Sequence, residues 1–392
     1  MINLRIIFLV LFSSYFYSCA TGSMEYRSCR AAANVEKDYD RAESLCLEAL
    51  QIEPENPQVP YFLATKIYKR KNNYEAMAKM LNLSEKKATK EHDLTEPFSQ
   101  EASLLKDIKF KYTVEFEEDG KKMLFFNKLL DAIALEKYSI WREFLIQGLE
   151  HEENEEVIKA IEMYNKAKNL IPSNSKSYIQ LFNIYLNQNS IDQAKKIIYE
   201  AYEKDTSNVI INYYIGDLEG QMKNYKVSEK FYKYAADNAS NPKFMYGLLY
   251  SYIDQGKNQI AIEYSEQLLE ENPEDQNLTY NIAVLYQRLG QEALDSASEH
   301  YNKINSIDDP SADLINTTLE KFKNARKYLY ESKSFFEFAY DLTLDNSNKL
   351  DEIDVNRQLD EIDGAQKEMK KYIKRLDTIY IPDLQEKYRK VK

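Results

Sequence analysis

The chain has 392 residues, with 64 acidic against 52 basic side chains and a formal net charge of −12. A surface of that sign repels a polyanion unless a basic stripe offsets it, and none occurs, which argues against nucleic acid as a partner. Nine Gly and nine Pro, set against 32 Tyr and a 44% apolar fraction, exclude a turn-rich strand architecture and leave long amphipathic helices as the expected content.

Residues 1–18 carry one early positive charge at Arg5 and an apolar run from Ile6 to Phe12. A dozen apolar residues make a helix of about 18 Å, too short for a hydrocarbon core of about 30 Å, so the segment reads as a signal peptide. Phe16-Tyr17-Ser18-Cys19 resembles a bacterial lipobox, with Phe16 where Leu is usual and Tyr17 where a smaller residue is usual. That resemblance implies lipidation of Cys19 and a chain tethered to a membrane without spanning it. Ala20, rather than Asp, follows the Cys, which by the same resemblance implies an outer-membrane anchor facing the periplasm. A soluble secreted protein cut near Ala20 or Gly22 is the other reading. A tether over 19–28 is expected next.

From residue 29 onward one pattern returns. Arg30, Ala42, Cys46, Ala49 and Pro54 stand at steps of 12, 4, 3 and 5, and Ala64, Ala76, Met80 and Leu83 repeat the first three steps. After an interruption come Gly148, Ala160, Tyr164, Ala167 and Pro172, then the sets beginning at Phe182, Gly216 and Leu249, with starts 34, 34 and 33 residues apart. A fixed period near 34 marks stacked helical hairpins, in which length counts repeats rather than domains. In residue types and spacing the units resemble the tetratricopeptide repeat family. The resemblance implies an all-α fold, a right-handed α-solenoid of helix-turn-helix repeats. Phe182 and Leu249 depart from the small first-helix residue, and Ser228 from the second-helix Ala, so those pairs are expected to splay slightly.

The expected organisation is a pair of repeats over 29–90, a connector over 91–140, the main array over 141–310 and long helices with a cap over 311–392. In the connector, alternation around Tyr112, Val114 and Phe116 with Asp119-Gly120 behind it allows a short hairpin. Two longer helices are favoured, because isolated hairpins are marginal and every neighbour is helical. Beyond Asp275 a further repeat is expected through Ala283, Tyr286, Ala297, Tyr301 and Ile304, with two extra residues near Gln291–Leu294. Residues 311–344 read as two helices. The apolar stripe from Ile353 to Ile379 reads as a capping helix, or as a coiled-coil face for a partner. Cys29 and Cys46 fall on facing helices of the first repeat, as a disulfide or as two separate buried thiols.

Residues with a reactive pattern are missing. His92, His151 and His300 lie far apart in sequence, no phosphate-cradling Gly-rich loop or nucleophile elbow occurs, and Glu152-Glu153-Asn154-Glu155-Glu156 reads as a charged helix start. No catalytic residue, metal, cofactor or small-molecule substrate is expected. In tetratricopeptide arrays the first helix of each pair lines the concave face. Carried onto this register, that implies Leu145, Leu149, Ile179, Asn183, Tyr213, Asp217, Tyr246, Tyr250, Tyr280 and Val284 as inward-facing. Tyr offers apolar area and a hydroxyl at low entropic cost, which suits contact with a peptide, although Tyr at this spacing also packs between repeats. The apolar residues at the early positions leave no clamp for a free carboxy terminus. The function expected is a non-catalytic adaptor of the bacterial cell envelope that binds a partner protein or peptide. An accessory lipoprotein of peptidoglycan or polysaccharide machinery is the alternative.

Overall fold

The computed structural model describes residues 22–105, 108–347 and 352–392, which form two compact units, Met1–Thr206 and Ser207–Lys392. Cys19 and residues 1–18, read above as a signal peptide, lie outside the described residues. The first unit contains α1 (Met24–Ala31, continued by a π-helical turn over Ala32–Glu36), α2 (Tyr39–Ile52), α3 (Gln58–Phe62, continued likewise over Leu63–Tyr68) and α4 (Tyr74–Lys87). After them come β1 (Asp93–Glu101), β2 (Val114–Glu118), β3 (Lys121–Lys128), α5 (Leu129–Glu153), α6 (Val157–Leu170), α7 (Ser175–Asn187) and α8 (Ile191–Lys204). The second unit contains α9 (Val209–Gln221), α10 (Tyr225–Asn238), α11 (Pro242–Asp254), α12 (Asn258–Glu271), α13 (Gln276–Asn305), α14 (Ala312–Asp345), α15 (Glu352–Arg375) and α16 (Ile381–Val391). The fold is predominantly helical, built of successive helical hairpins with one small sheet.

Local chemistry sets the hairpins. Asn174, Asn208, Asn241 and Asp275 each accept a backbone N–H of the first turn, capping α7, α9, α11 and α13. Inside each hairpin one residue takes a left-handed conformation, Glu155, Asn189, Lys223 and Gly256 with φ of 60°, 56°, 61° and 69°. That reverses the chain within a few residues and lets the second helix fold back on the first.

The packing between the two helices rests on complementary sizes sixteen positions apart. A Cβ added to Gly148 would lie 2.3 Å from the Tyr164 ring, and one on Gly216 would lie 2.8 Å from the Tyr232 ring. Where the first helix carries a large residue, the second carries a smaller one: Phe182 precedes Ile198 and Leu249 precedes Ser265, all four fully buried. At these pairs a larger first-helix residue is thus set against a smaller second-helix one. Ser228 does not loosen its hairpin, since its Oγ donates to the Gly216 carbonyl at 2.7 Å.

Several boundaries differ from the sequence expectation. The tether is shorter, because Ser23 caps α1 and both its N–H and its Oγ donate to Glu53. Cys29 and Cys46 are joined in a disulfide across α1 and α2. Where helices were expected over 91–140, residues 93–128 carry a three-stranded antiparallel sheet in the order β1-β3-β2, and only the last part, from Leu129 on, is helical as expected, opening α5. The hairpin is not isolated: β1 supplies a third strand, and buried Phe126 on β3 stacks on Phe98 at 4.9 Å and meets Phe110 edge-on at 4.8 Å. Asp131, nearly fully buried at the start of α5, accepts from the N–H groups of Lys111 at 3.0 Å and Tyr112 at 2.7 Å, tying the loop before β2 to the helix.

In the second unit the further repeat expected through Ala283 and Ile304 does not form a helix pair, and α13 runs unbroken across Gln291–Leu294. No capping residue or left-handed position interrupts it, and Gly290 lies within close approach of Leu329 on α14. The segment expected as two helices over 311–344 is the single helix α14, capped by Ser311. α15 returns along α14, burying Val355, Ile362, Met369 and Ile373, so the stripe read as a coiled-coil face is used within the unit.

Two outcomes follow from this packing. Gly148→Val forces the Tyr164 ring from its seat and lowers the stability of the first unit by about 1–3 kcal/mol in chemical denaturation, the range for overpacking. Reducing Cys29–Cys46, whose ends are 17 residues apart, weakens the first hairpin by about 3 kcal/mol on the chain-entropy scale, read by hydrogen exchange in α1 and α2.

Candidate functional site

In the second unit α9 and α11 are the first helices of adjacent hairpins, and α10 lies behind them. Tyr213 and Asp217 from α9 and Tyr246, Tyr250 and Asp254 from α11 open onto one hollow of about 520 Å³. Its floor is Tyr232 of α10, whose ring is held between Gly216 and Gly247; a Cβ on Gly247 would lie 2.5 Å from it. The Tyr232 hydroxyl donates to Asp217 at 3.3 Å. Two backbones thus come close enough to enclose an aromatic ring that a side chain at either glycine would displace.

The wall tyrosines are held from outside the hollow. Tyr213 packs on Phe244 at 5.1 Å and on Tyr232 at 5.5 Å between centroids. The Tyr246 hydroxyl donates to Asp275, the residue that also caps α13, and its ring stacks on Tyr250 at 6.3 Å. Tyr250 is the most open of them, 48% exposed, with its hydroxyl accepting from Asn281 at 3.4 Å. Lys243, at the rim, sits 4.9 Å from the Tyr213 ring centre. Burial, and then the neighbouring Asp217 carboxylate, push the Tyr213 hydroxyl up to about 12. Burial raises Tyr232 and Tyr246 further, with Asp217 and Asp275 respectively adding to it.

The ten residues picked out by register divide between the two units, and the six in the second do not form one surface. Tyr213, Asp217, Tyr246 and Tyr250 come together. Tyr280 and Val284, expected on the same open face, do not: Tyr280 meets Phe336 edge-on and borders Gln358 and Ile362 of α15, while Val284 packs into that cluster. The returning helix covers the place the sequence left open, an arrangement that depends on contacts across some eighty residues, such as Gln276 to Gln358. In the first unit Leu145 and Leu149 line a hollow of about 490 Å³ with Tyr138 and Trp141, and Ile179 and Asn183 are half-buried elsewhere on α7. Trp141 is fixed by its Nε1–H donating to Ser177 at 2.9 Å.

Sequence reasoning missed Tyr232, Lys243 and Asp254, and a further hollow of about 480 Å³ between α1, α3 and β1. Gly247 was the available signal, a second small residue beside Gly216. The other hollow pairs its charges internally, Lys69 with Glu136 at 2.7 Å and Lys66 with Glu96 at 3.5 Å.

Among the described residues no group of three or more His, Cys, Asp or Glu is placed to hold a metal ion, and no helix is long and apolar enough to cross a membrane. His151 bonds to Glu156 at 2.6 Å, His92 accepts from the Thr89 N–H at 3.0 Å, and His300 lies 3.2 Å from Lys321. Each histidine has a local structural contact.

No family model matches the chain, and no curated protein matches it. Solved structures that resemble it include YrrB, described as a TPR protein with an unusual peptide-binding site, at 16% identity and a TM-score of 0.32, covering 53% of this chain and 97% of that one. A tetratricopeptide repeat protein from Parabacteroides merdae, at 14% identity and a TM-score of 0.33, covers 87% of this chain and 99% of that one. PilW, described as a type IV pilus biogenesis factor, is 16% identical with a TM-score of 0.34, covering 57% and 98%.

Tyr213 and Tyr178, both pushed up to about 12, and the higher-shifted Tyr232 and Tyr246 set an alkaline limit. An unfolded tyrosine ionises near 10, whereas these stay protonated in the fold, so the unfolded chain binds fewer protons above that pH. Their contribution is complete below pH ~10 and is lost as pH rises from there through the folded values. Stability measured by urea denaturation is expected to be flat from pH 8 to about 9.5 and to fall steeply beyond 10, with Tyr232→Phe flattening the slope.

Proposed function

We propose that this protein is a non-catalytic interaction scaffold that holds an extended segment of a partner protein against the first-helix face of its second unit. The observation that carries the reading is the convergence of Tyr213, Tyr246 and Tyr250 on one open hollow whose floor is a further tyrosine. Three rings fixed by their own neighbours present apolar area without the entropic cost of ordering on binding, which is how aromatic anchors come to dominate an interface. The signal-like residues 1–18 and Cys19 support placing the scaffold on the bacterial cell envelope, held by acyl chains, with an envelope protein as partner.

A photoreactive phenylalanine at position 250 is expected to trap a discrete partner in the native host, and the same group at Ile260, exposed on α12, to trap none. Equal labelling from both positions, or labelling from 260 alone, removes the groove from the account. Separately, incorporation of a palmitate analogue is expected in the intact chain and lost in Cys19→Ala.

A further inference from the structure

We propose that the hollow between α9 and α11 receives the cationic side chain of a lysine or arginine, so that the segment bound there is basic. This rests on the groove reading above and adds the chemistry of the ligand. Asp217 and Asp254 both line the hollow, and among the described residues neither forms an ion pair. Asp217 accepts only neutral donors, the Tyr232 hydroxyl at 3.3 Å and Gln221 Nε2 at 3.2 Å. Carboxylates usually sit near helix N-termini. Asp254 is the last residue of α11 and Asp217 lies one turn short of the end of α9, so both carboxylates stand toward the negative ends of their helices and add to that field instead of offsetting it. Two helix ends and two carboxylates therefore make one negative field over a wall of tyrosine rings.

The wall itself already holds a cation on its face. The Lys243 ammonium lies 4.9 Å from the centre of the Tyr213 ring and 5.9 Å from that of Tyr214, within cation–π range, and makes no ion pair with either carboxylate. An arriving cation would meet ring faces of the same kind at Tyr246 and Tyr250, with the carboxylates beside them. An acidic segment or a free carboxy terminus would instead meet two carboxylates that no side chain neutralises, so the same charges that attract one class exclude the other.

The test uses the purified full-length chain in detergent and four fluorescent Gly/Ser-flanked nonapeptides that differ only at the central residue, Lys, Arg, norleucine or Glu. The Lys and Arg peptides are expected to bind about tenfold more tightly than the norleucine peptide, with the Glu peptide weakest, and the preference to shrink as salt is raised. Asp217→Asn with Asp254→Asn should erase the preference, while the amide at 217 still accepts from Tyr232. Lys243→Gln should raise affinity for the Lys peptide by about threefold, because a like charge leaves the rim. That gain is not expected from a structural role, and it decides the matter if the double variant does not fold. Equal binding of the norleucine peptide, survival of the preference in the double variant, or no binding by any peptide would overturn the proposal. If position 250 still traps its partner in the double Asn variant with undiminished yield, the groove stands and the cationic ligand falls; if position 250 traps nothing in the wild type, the groove itself fails.

Discussion

The structure depends on one steric constraint, the close approach of paired helices where a ring on one fills the space left by a missing side chain on the other. Tyr164 over Gly148 and Tyr232 over Gly216 are its tightest instances. The interior is close-packed, so volume removed on one helix must be restored at the facing position. Phe182 with Ile198 and Leu249 with Ser265 meet the same requirement from the other direction. A change of size at one of the two positions is thus matched by the opposite change at the other, which is why a register of residue types survives large changes at single places.

The same constraint creates the candidate site. Tyr232 meets a second glycine, Gly247, on the next hairpin, so two neighbouring first helices come close to one ring from opposite sides. A packing device shared between repeats thereby becomes the floor of an open hollow. Stability and recognition draw on the same tyrosine, and changes that loosen one disturb the other.

The period of 34, the helix pairs and the grouping of Tyr213, Asp217, Tyr246 and Tyr250 were legible in the sequence, because spacing along a helix fixes which face a residue takes. What was not legible came from contacts between distant segments. The alternation around Val114 and Phe116 is too short to identify a sheet by itself, and only β1, pairing with β3 and bringing Phe98 to Phe126, makes strands preferable to helices there. Likewise nothing near Tyr280 announces that α15 will return to lie beside it. The unbroken α13 and α14 were misread because the repeat pattern was extended past the point where capping residues stop, and those caps at Asn174, Asn208, Asn241 and Asp275 were the better guide.

A stack held together by nearest-neighbour contacts frays from its outermost element, which has a partner on one side only. The first described hairpin and the last helices of this chain answer that weakness by different means. Cys29–Cys46 makes opening of α1 and α2 a covalent matter, indifferent to how few neighbours they have. In the second unit α14 is long enough to be sheltered by both α13 and α15, so its breakage would expose two interfaces at once. Within each unit, spontaneous opening should therefore begin among the short helices that have neither safeguard, and a protease acting on native protein would find its first cuts there.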